Sequence, residues 1–194
     1  MVPESRIVYV DNDPLVLAHA RALLTSSPEG ACDYLDTDLH DPDDILAGAA
    51  KTLDFSQPVV IMLLGIVHFI EDDDEAQAIL NRLTDAVPPG SFLAIAHFTN
   101  AVHGAMTDEA AAHWNTFGKP AIRTRTPEQI GCFFHGLELI EPGIVSCSRW
   151  RPEPTTHGVT AAPKRLPYAP TEAEILTRSP GQDRRNASTA RTRR

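Results

Sequence analysis

Over the first 150 residues, apolar positions follow two different patterns. Segments of the two kinds alternate along the chain and are separated by polar turns. Short runs rich in β-branched and aromatic residues predict strands, at 6–10, 31–35, 58–64 and 91–96. Apolar residues three or four positions apart predict helices, at 14–25, from 42, up to 87, at 107–116 and at 127–134. Strands that alternate with helices favour an α/β fold, an open sheet with a parallel body.

Two of these helices are predicted to begin at an Asp-Pro pair. Asp13 offers its side chain to the free amides of the first turn, and Pro14 loses nothing by lacking an N–H. Asp41 and Pro42 repeat the pair, so we expect the second helix to begin in the same way. The first helix is expected to bury an apolar face, formed by Leu15, Leu17, Ala18, Ala22 and Leu23.

The predicted strand at 58–64 is apolar at every position after Pro58, which is typical of a parallel strand covered on both faces. Gly65 follows it and allows the backbone to turn or to approach a ligand closely. Two further strands, at 137–140 and 144–150, flank a Pro-Gly turn and predict a C-terminal antiparallel hairpin.

From residue 151 the composition changes to Pro, Thr, Ala, Arg and Ser without a sustained apolar period. Such a segment buries too little surface to offset its ordering entropy. We therefore predict one domain over residues 1–153 and a disordered basic tail over 154–194, with one short helix at 171–177.

Charge is distributed unevenly between these two parts. Residues 1–150 carry 8 Lys and Arg against 22 Asp and Glu, whereas residues 151–194 carry 9 against 4. Binding of nucleic acid needs Lys and Arg on one face to neutralise phosphates, so we expect none by the acidic domain. The basic tail is interpreted as solvated chain, with contact to an acidic surface as the alternative.

The three cysteines, Cys32, Cys132 and Cys147, are widely spaced and lie far from any histidine cluster. They predict buried, reduced thiols and no zinc site. No apolar run reaches the ~20 residues of a membrane span, and the N-terminus lacks the order of a secretory signal. We therefore expect a cytoplasmic protein without membrane contact.

Ligands of open α/β sheets bind outside the carboxyl ends of the strands, and polar residues follow the predicted strands. Asp11 and Asn12 follow the first strand, and a carboxylate there accepts hydrogen bonds from the hydroxyls of a ribose, with Asn12 beside the base. The alternative is that Asp11 only helps to cap the next helix. Asp38 and Leu39 follow the second strand, where they suit an adenine or, alternatively, form an ordinary turn.

Histidines follow the third and fourth strands. His68 lies where a substrate-facing group is expected, and histidine acts as a base near neutral pH. Its alternative role is to pack in the loop or to bond the backbone. His97 and His103 are weaker candidates, and their spacing indicates no metal site.

Five segments resemble one family in order and spacing. They are VYVDNDPLVLAHARALL (8–24), DTDLHDPDDIL (36–46), PVVIMLLGIVHFIEDDDEA (58–76), PPGSFLAIAH (88–97) and LELIEPGIVSCSRWRPE (137–153). The chain thereby resembles the S-adenosyl methyltransferase family common in actinobacteria, whose members have a Rossmann-like fold and use S-adenosylmethionine.

The resemblance implies the roles of individual residues. Asp11 would bind the cofactor ribose, and Asp38 with Leu39 would bind the adenine. Leu64 and Gly65 would line the methionine end. The implied activity is methyl transfer to a small-molecule or unknown acceptor, with His68 as the candidate base. Independently of the resemblance, residues 101–126 are a candidate lid over the acceptor, with Trp114, Phe117, Arg123 and Arg125. Helix packing is the alternative role of Trp114 and Phe117.

The chain departs from the family at its start. In the family, the strand that matches residues 6–10 is the second, and a first strand with a glycine-rich loop precedes it. No glycine occurs before Gly30 in this chain. We therefore expect the central first strand to be missing through a truncated gene or a misplaced start codon, leaving apolar sheet edges and weak or absent cofactor binding.

Three other functions are weighed against a methyltransferase. A response-regulator receiver needs a phospho-accepting Asp after residues 58–64 and a Lys after 91–96, where this chain has Gly65 and His97. A nicotinamide-dependent oxidoreductase needs a glycine-rich fingerprint, which the chain lacks. A non-catalytic methyltransferase remnant with a binding role stays open.

Overall fold

The computed structural model describes residues 3–150 and the backbone of residues 172–178. Strands and helices alternate along the chain, which confirms the α/β class. The chain divides into two compact units. The first comprises Met1–Val59 and Ala78–Pro88, and the second comprises Val60–Gln77 and Pro89–Arg194.

The first unit contains two parallel strands. β1 (Arg6–Asp11) pairs along its whole length with β2 (Ala31–Asp36). The helix α1 (Pro14–Leu23) connects them, and α2 (Pro42–Ala49) follows β2. The carboxyl ends of β1 and β2 therefore lie side by side, since parallel pairing brings Asp11 opposite Asp36.

The two Asp-Pro pairs behave differently. At α1 the prediction is confirmed, because the side chain of Asp13 accepts a hydrogen bond from the Leu15 amide at 2.8 Å. At α2 it is wrong, because the Asp41 side chain makes no capping bond. The Asp41 amide instead donates to the carbonyl of Asp38, and this turn gives Asp41 a ψ of 62°, away from the extended cap conformation.

The predicted apolar face of α1 is mostly exposed, so this expectation was wrong. Leu17 is buried, but Leu15 is 64% exposed and Leu23 is 77% exposed. A sheet of two strands in this unit is narrower than the apolar stripe of the helix. It covers only the row of side chains that faces it directly.

The second unit contains a five-stranded sheet. β3 (Val60–Leu64) and β4 (Phe92–Phe98) are parallel, and β4 is buried at every position from Leu93 to His97. Three antiparallel strands complete the sheet: β5 (Glu138–Leu139), β6 (Val145–Ser146) and β7 (Glu172–Arg178). The helices are α3 (Asp73–Asp85), which contributes residues to both units, α4 (Ala105–Phe117) and α5 (Pro127–Cys132).

The strand β7 corrects the sequence analysis. The helix predicted at 171–177 was wrong, because Glu172–Arg178 pairs along β4 as a strand. The antiparallel character of the C-terminal strands is confirmed, but β5 and β6 pair with β7 and not with each other as a hairpin. β7 pairs with seven residues of β4, whereas β5 and β6 are only two residues long and could pair with each other over two residues at most. The rest of the predicted tail lies outside the described residues.

The strand β3 was predicted to be covered on both faces, and this was wrong. Leu63 is buried, whereas Val60, Met62 and Leu64 are each more than half exposed. Alternate residues of a strand point to opposite faces, so the exposed set forms one face. In the described sheet β3 is a terminal strand whose partner is β4.

Composition and spacing predicted buried cysteines, no zinc site and no membrane span. The cysteines are free, but the prediction that they are buried was wrong, since Cys132 is exposed and Cys32 and Cys147 are half-buried. Within the described residues, no cluster of three or more His, Cys, Asp or Glu side chains suits a metal ion. None of the helices in that part of the chain has the length and hydropathy needed to cross a bilayer.

Candidate functional site

In the first unit, the candidate nucleotide-binding residues meet at the carboxyl ends of β1 and β2. Asn12 Nδ2 donates to Asp38 Oδ2 over 2.6 Å, which joins two residues separated by 26 positions. Leu39 follows and is half-buried. Parallel pairing of β1 with β2 thus places together the residues that the sequence analysis selected separately.

Asp11 has a local role at this edge. Its Oδ1 accepts a hydrogen bond from the Asp13 amide at 2.9 Å, so the carboxylate does support the start of α1. Within the described part of the chain, no hydrogen bond reaches its second oxygen. A carboxylate accepts through both oxygens, so the local bond leaves room for a ribose hydroxyl. Ribose binding stays a prediction.

Asp38 is held by its neighbours. Its Oδ1 accepts from the His40 amide at 2.9 Å and lies 2.5 Å from His40 Nδ1. These bonds, with the Asn12 bond to the other oxygen, lower the pKa of the Asp38 carboxyl, and the His40 amide has the largest effect. Asp38 is therefore ionised at neutral pH and can accept a further hydrogen bond through a remaining lone pair.

In the second unit, Leu64 and Gly65 lie at the carboxyl end of β3. Gly65 has a φ of +74°, a left-handed conformation that favours glycine, and its amide donates to the Ala96 carbonyl at 3.0 Å. The predicted turn is therefore present. A single turn of 3₁₀ helix, Val67–Phe69, follows it.

His68 lies in that 3₁₀ turn and is only 3% exposed. Its ring packs against the rings of Phe69, Phe98 and His97. Burial, and secondarily the charge of Arg125, lowers the pKa of His68 to about 4. Its Nδ1 is buried and has no hydrogen-bond partner among the residues that the structure describes. His68 is therefore a neutral, enclosed side chain and not one that projects into solvent.

His97, in β4, is fully buried and is also neutral. Burial lowers its pKa to about 4, although the Phe98 carbonyl opposes this by accepting from Nδ1 at 2.8 Å. Arg125 Nη1 lies 2.9 Å from the other ring nitrogen, Nε2. An arginine only donates, so Nε2 must accept and Nδ1 must carry the proton.

Arg125 is the functional candidate that the sequence analysis misplaced. It was assigned to a lid, but it is 1% exposed and its Nε donates to Asp73 Oδ1 at 2.8 Å. The sequence held only a weak signal for this pairing. The acidic run at 71–75 needs nearby cations, and few basic residues lie between 83 and 148 to provide them. In the same segment Phe117 is 81% exposed, and Trp114 is half-exposed with Nε1 donating to the Pro120 carbonyl.

A cleft of about 400 Å³ opens beside Thr99, the residue after β4. Its walls are mainly apolar, and its polar lining residues are Thr99, Ser146 and Arg149. This volume lies within the usual range for small-molecule pockets.

Solved structures resemble the chain over most of its length. A DUF574 family protein from Streptomyces avermitilis is 38% identical, with 92% of this chain and 67% of that chain covered and a TM-score of 0.82. A candidate methyltransferase from Thermobifida fusca is 31% identical, with coverages of 90% and 63% and a TM-score of 0.72. The chain therefore spans about two thirds of the length of these relatives.

A more distant likeness shows the fold. NodS, an N-methyltransferase from Bradyrhizobium japonicum solved with S-adenosyl-L-homocysteine, is 12% identical and has a TM-score of 0.52 over 90% of this chain and 67% of its own. The Rossmann-like methyltransferase fold is thus confirmed. A comparison with functionally curated proteins found none that matches.

A model of the S-adenosyl methyltransferase family matches residues 1–174. This match rules out the receiver and oxidoreductase alternatives and confirms S-adenosylmethionine as the cofactor of the family. Together with the two relatives above 30% identity, it decides the classification: the chain belongs to the S-adenosyl methyltransferase family.

Proposed function

We propose that the chain binds S-adenosylmethionine and transfers its methyl group to a small-molecule acceptor. The observation that carries the proposal is the 2.6 Å bond between Asn12 and Asp38, at the ends of two parallel strands in a chain of this family. It fixes a carboxylate and an amide beside Asp11, and these are the groups that hold an adenosine.

The residues of the first unit suit the adenosine part of the cofactor. Asp11 accepts from the ribose hydroxyls through its second oxygen while the first stays with the Asp13 amide. Asp38 accepts from the adenine amino group, and the Leu39 amide donates to a ring nitrogen. Asn12, held by Asp38, lies beside the base. In the second unit, the proposal assigns Leu64 and Gly65 to the methionine part.

When bound, the cofactor supplies a methyl carbon on a positively charged sulfur that an acceptor lone pair can attack. The chain contributes by holding the reactants in line. His68 is assigned to take the acceptor's proton. Because its pKa is about 4, His68 is unprotonated at neutral pH, and it suits an acceptor whose proton is already acidic.

The proposed acceptor is a small molecule for two reasons. Residues 1–150 carry 22 acidic against 8 basic side chains, which opposes binding of nucleic acid. The cleft beside Thr99 has a volume of about 400 Å³, which suits a small ligand with an apolar body.

Titration of S-adenosylhomocysteine, followed by NMR so that weak binding is detected, tests the proposal. Asp11→Asn keeps the bond to the Asp13 amide but loses the charge, and it should weaken binding by about tenfold or more. Asp36→Asn is the matched control, because Asp36 ends β2 opposite Asp11 and has no assigned role. Absence of binding, or equal binding by Asp11→Asn, would overturn the proposal. Binding without methyl transfer would favour the non-catalytic alternative.

A further inference from the structure

Two arginines of one short segment hold the loop that follows β3. Arg125 donates from Nη1 to the Val67 carbonyl at 3.3 Å and from Nη2 to the Ile70 carbonyl at 2.7 Å. Arg123 donates from its amide to the His68 carbonyl at 2.8 Å and from Nη1 to the Glu71 carbonyl at 2.7 Å. Four carbonyls within residues 67–71 are thus bound by the short segment 123–125.

The carboxylate of Asp73 closes this arrangement. Its Oδ1 accepts from Arg125 Nε at 2.8 Å, and its Oδ2 accepts from Arg123 Nη2 at 2.7 Å. Each oxygen is therefore paired with a different guanidinium, 50 and 52 positions away in the chain. We call Asp73, Arg123 and Arg125 the arginine clamp.

The clamp is anchored to the buried strand β4. The Arg125 amide donates to the Phe98 carbonyl at 3.2 Å, and Arg125 Nη1 donates to His97 Nε2 at 2.9 Å. The guanidinium also lies over the Phe133 ring, 5.1 Å from its centroid. Both His97 and Phe98 belong to β4, so the clamp holds the loop at a set place relative to that strand.

Burial of a charged guanidinium in a core costs desolvation free energy. Well-packed apolar side chains often replace buried ion pairs without loss of stability. We therefore expect Arg125 to contribute less to stability than to the positions of the loop carbonyls, which its fork of donors fixes. The loop whose carbonyls Arg125 binds begins at Gly65. The Gly65 amide in turn donates to the Ala96 carbonyl of β4.

We infer that Arg125 and Arg123 are positioning residues that set the Gly65–His68 turn for the methionine part of the cofactor. The inference rests on the proposed function, because it needs a cofactor whose methionine part reaches Leu64 and Gly65. Neither arginine touches the cofactor in this assignment. Each acts through the backbone of the loop after β3.

Adenosine and S-adenosylhomocysteine, titrated separately by NMR, distinguish positioning from general stability. Adenosine lacks the amino-acid part, so its binding does not need the Gly65–His68 turn. Arg125→Lys keeps the charge but loses the fork of donors. Because the loop carbonyls then lose donors that hold the turn, it should weaken binding of S-adenosylhomocysteine by about tenfold or more and leave binding of adenosine within about twofold.

Arg123→Met is a second variant that does not depend on a buried site, since the Arg123 side chain is 39% exposed. It should show the same selective loss, in a smaller degree. Ile130→Ala is the matched control, because Ile130 is fully buried in α5 of the same unit and has no contact assigned to the loop. It should lower thermal stability and leave the ratio of the two affinities unchanged.

The outcomes separate the two proposals. Equal losses for both ligands in the clamp variants, or no loss in either, would overturn the positioning role and leave the proposed function standing. A wild-type chain that binds neither ligand would overturn both. Amide hydrogen exchange of residues 65–71 provides a readout without ligand, and it should quicken in Arg125→Lys but not in Ile130→Ala.

Discussion

Arg125 donates to Nε2 of His97 over 2.9 Å, and this bond fixes the tautomer of a fully buried histidine. The ring carries its proton on Nδ1, which donates to the Phe98 carbonyl. Both ring nitrogens are therefore used by the neutral form. A second proton has no acceptor and would lie against a guanidinium, so protonation of His97 and the clamp exclude each other.

Stability should fall steeply between pH 6.5 and pH 4. His97 is neutral in the fold, where burial lowers its pKa to about 4, whereas an unfolded histidine titrates near 6.5. The unfolded chain therefore binds the proton first as pH falls. The contribution of neutral His97 to stability is fully present above pH 6.5 and is lost as pH falls towards 4. The loss is on the order of 3 kcal/mol for this histidine. Urea unfolding at several pH values measures it.

His97→Gln should remove that part of the pH dependence, since a glutamine oxygen still accepts from Arg125 but does not titrate. The other groups that face His97 are His68, which titrates in the same range, and Asp73. His135→Gln is the control, because His135 is exposed. An unchanged profile in His97→Gln would contradict the assignment of His97 as a neutral buried group.

His68→Phe should leave stability at pH 7 unchanged or raise it by about 1 kcal/mol. The buried Nδ1 of His68 has no partner, and a phenyl ring fills similar space among Phe69 and Phe98 without a polar atom. Methyl transfer, in contrast, should fall by about 10²–10⁴ if His68 takes the acceptor's proton. Thermal unfolding and turnover are measured on the same variant.

These two readouts give His68→Phe a clear interpretation. A large loss of stability would show that Nδ1 has a structural partner. Undiminished turnover would remove His68 from the mechanism.

Thr126→Ala should lower the free energy of unfolding by about 1 kcal/mol. Thr126 and Gln129 form a capping box at the start of α5, with bonds of 3.3 Å from the Gln129 amide and 2.9 Å to Gln129 Oε1. Thr116→Ala is the control, because the Thr116 hydroxyl bonds back to Ala112 within α4 and its loss should be neutral or favourable. Equal effects in chemical denaturation would argue against the cap.

We expect the exposed apolar face of β3 to favour self-association of the chain, and Met62→Lys should reduce it. Met62 is 58% exposed on the apolar face of β3, and a lysine on an edge strand opposes pairing with another chain. Met106→Lys is a matched control, because Met106 is equally exposed but lies in α4. Sedimentation at increasing concentration should show the shift towards monomer in Met62→Lys alone. A similar shift in both variants would point to net charge as the cause.

Local features were predictable because they depend on neighbours in the chain. The Asp13 cap and the turn at Gly65 each follow from a few consecutive residues, and the structure has both. Asp11 and Asp38 were selected because parallel strands end at the same edge. That rule is topological and needs no knowledge of side-chain packing.

Long-range pairing was not predictable in the same way. Whether β3 is covered depends on how many neighbours its sheet provides, and the partner of β7 depends on which edge is free. The apolar pattern of 58–64 is the same in either case. Likewise, the exposure of Leu15 depends on the width of the sheet below α1 and not on the helix itself.

The sequence by itself determined the order of strands and helices as far as α5, the family, and the carboxylates at the ends of β1 and β2. Only the tertiary structure decided that Arg125 is buried, that Asp73 is shared between two guanidinium groups, and that His97 is neutral. The physical reason is desolvation. A charge or a lone pair acquires its strength and its protonation state from the groups around it, and these come from positions 28 to 58 residues apart.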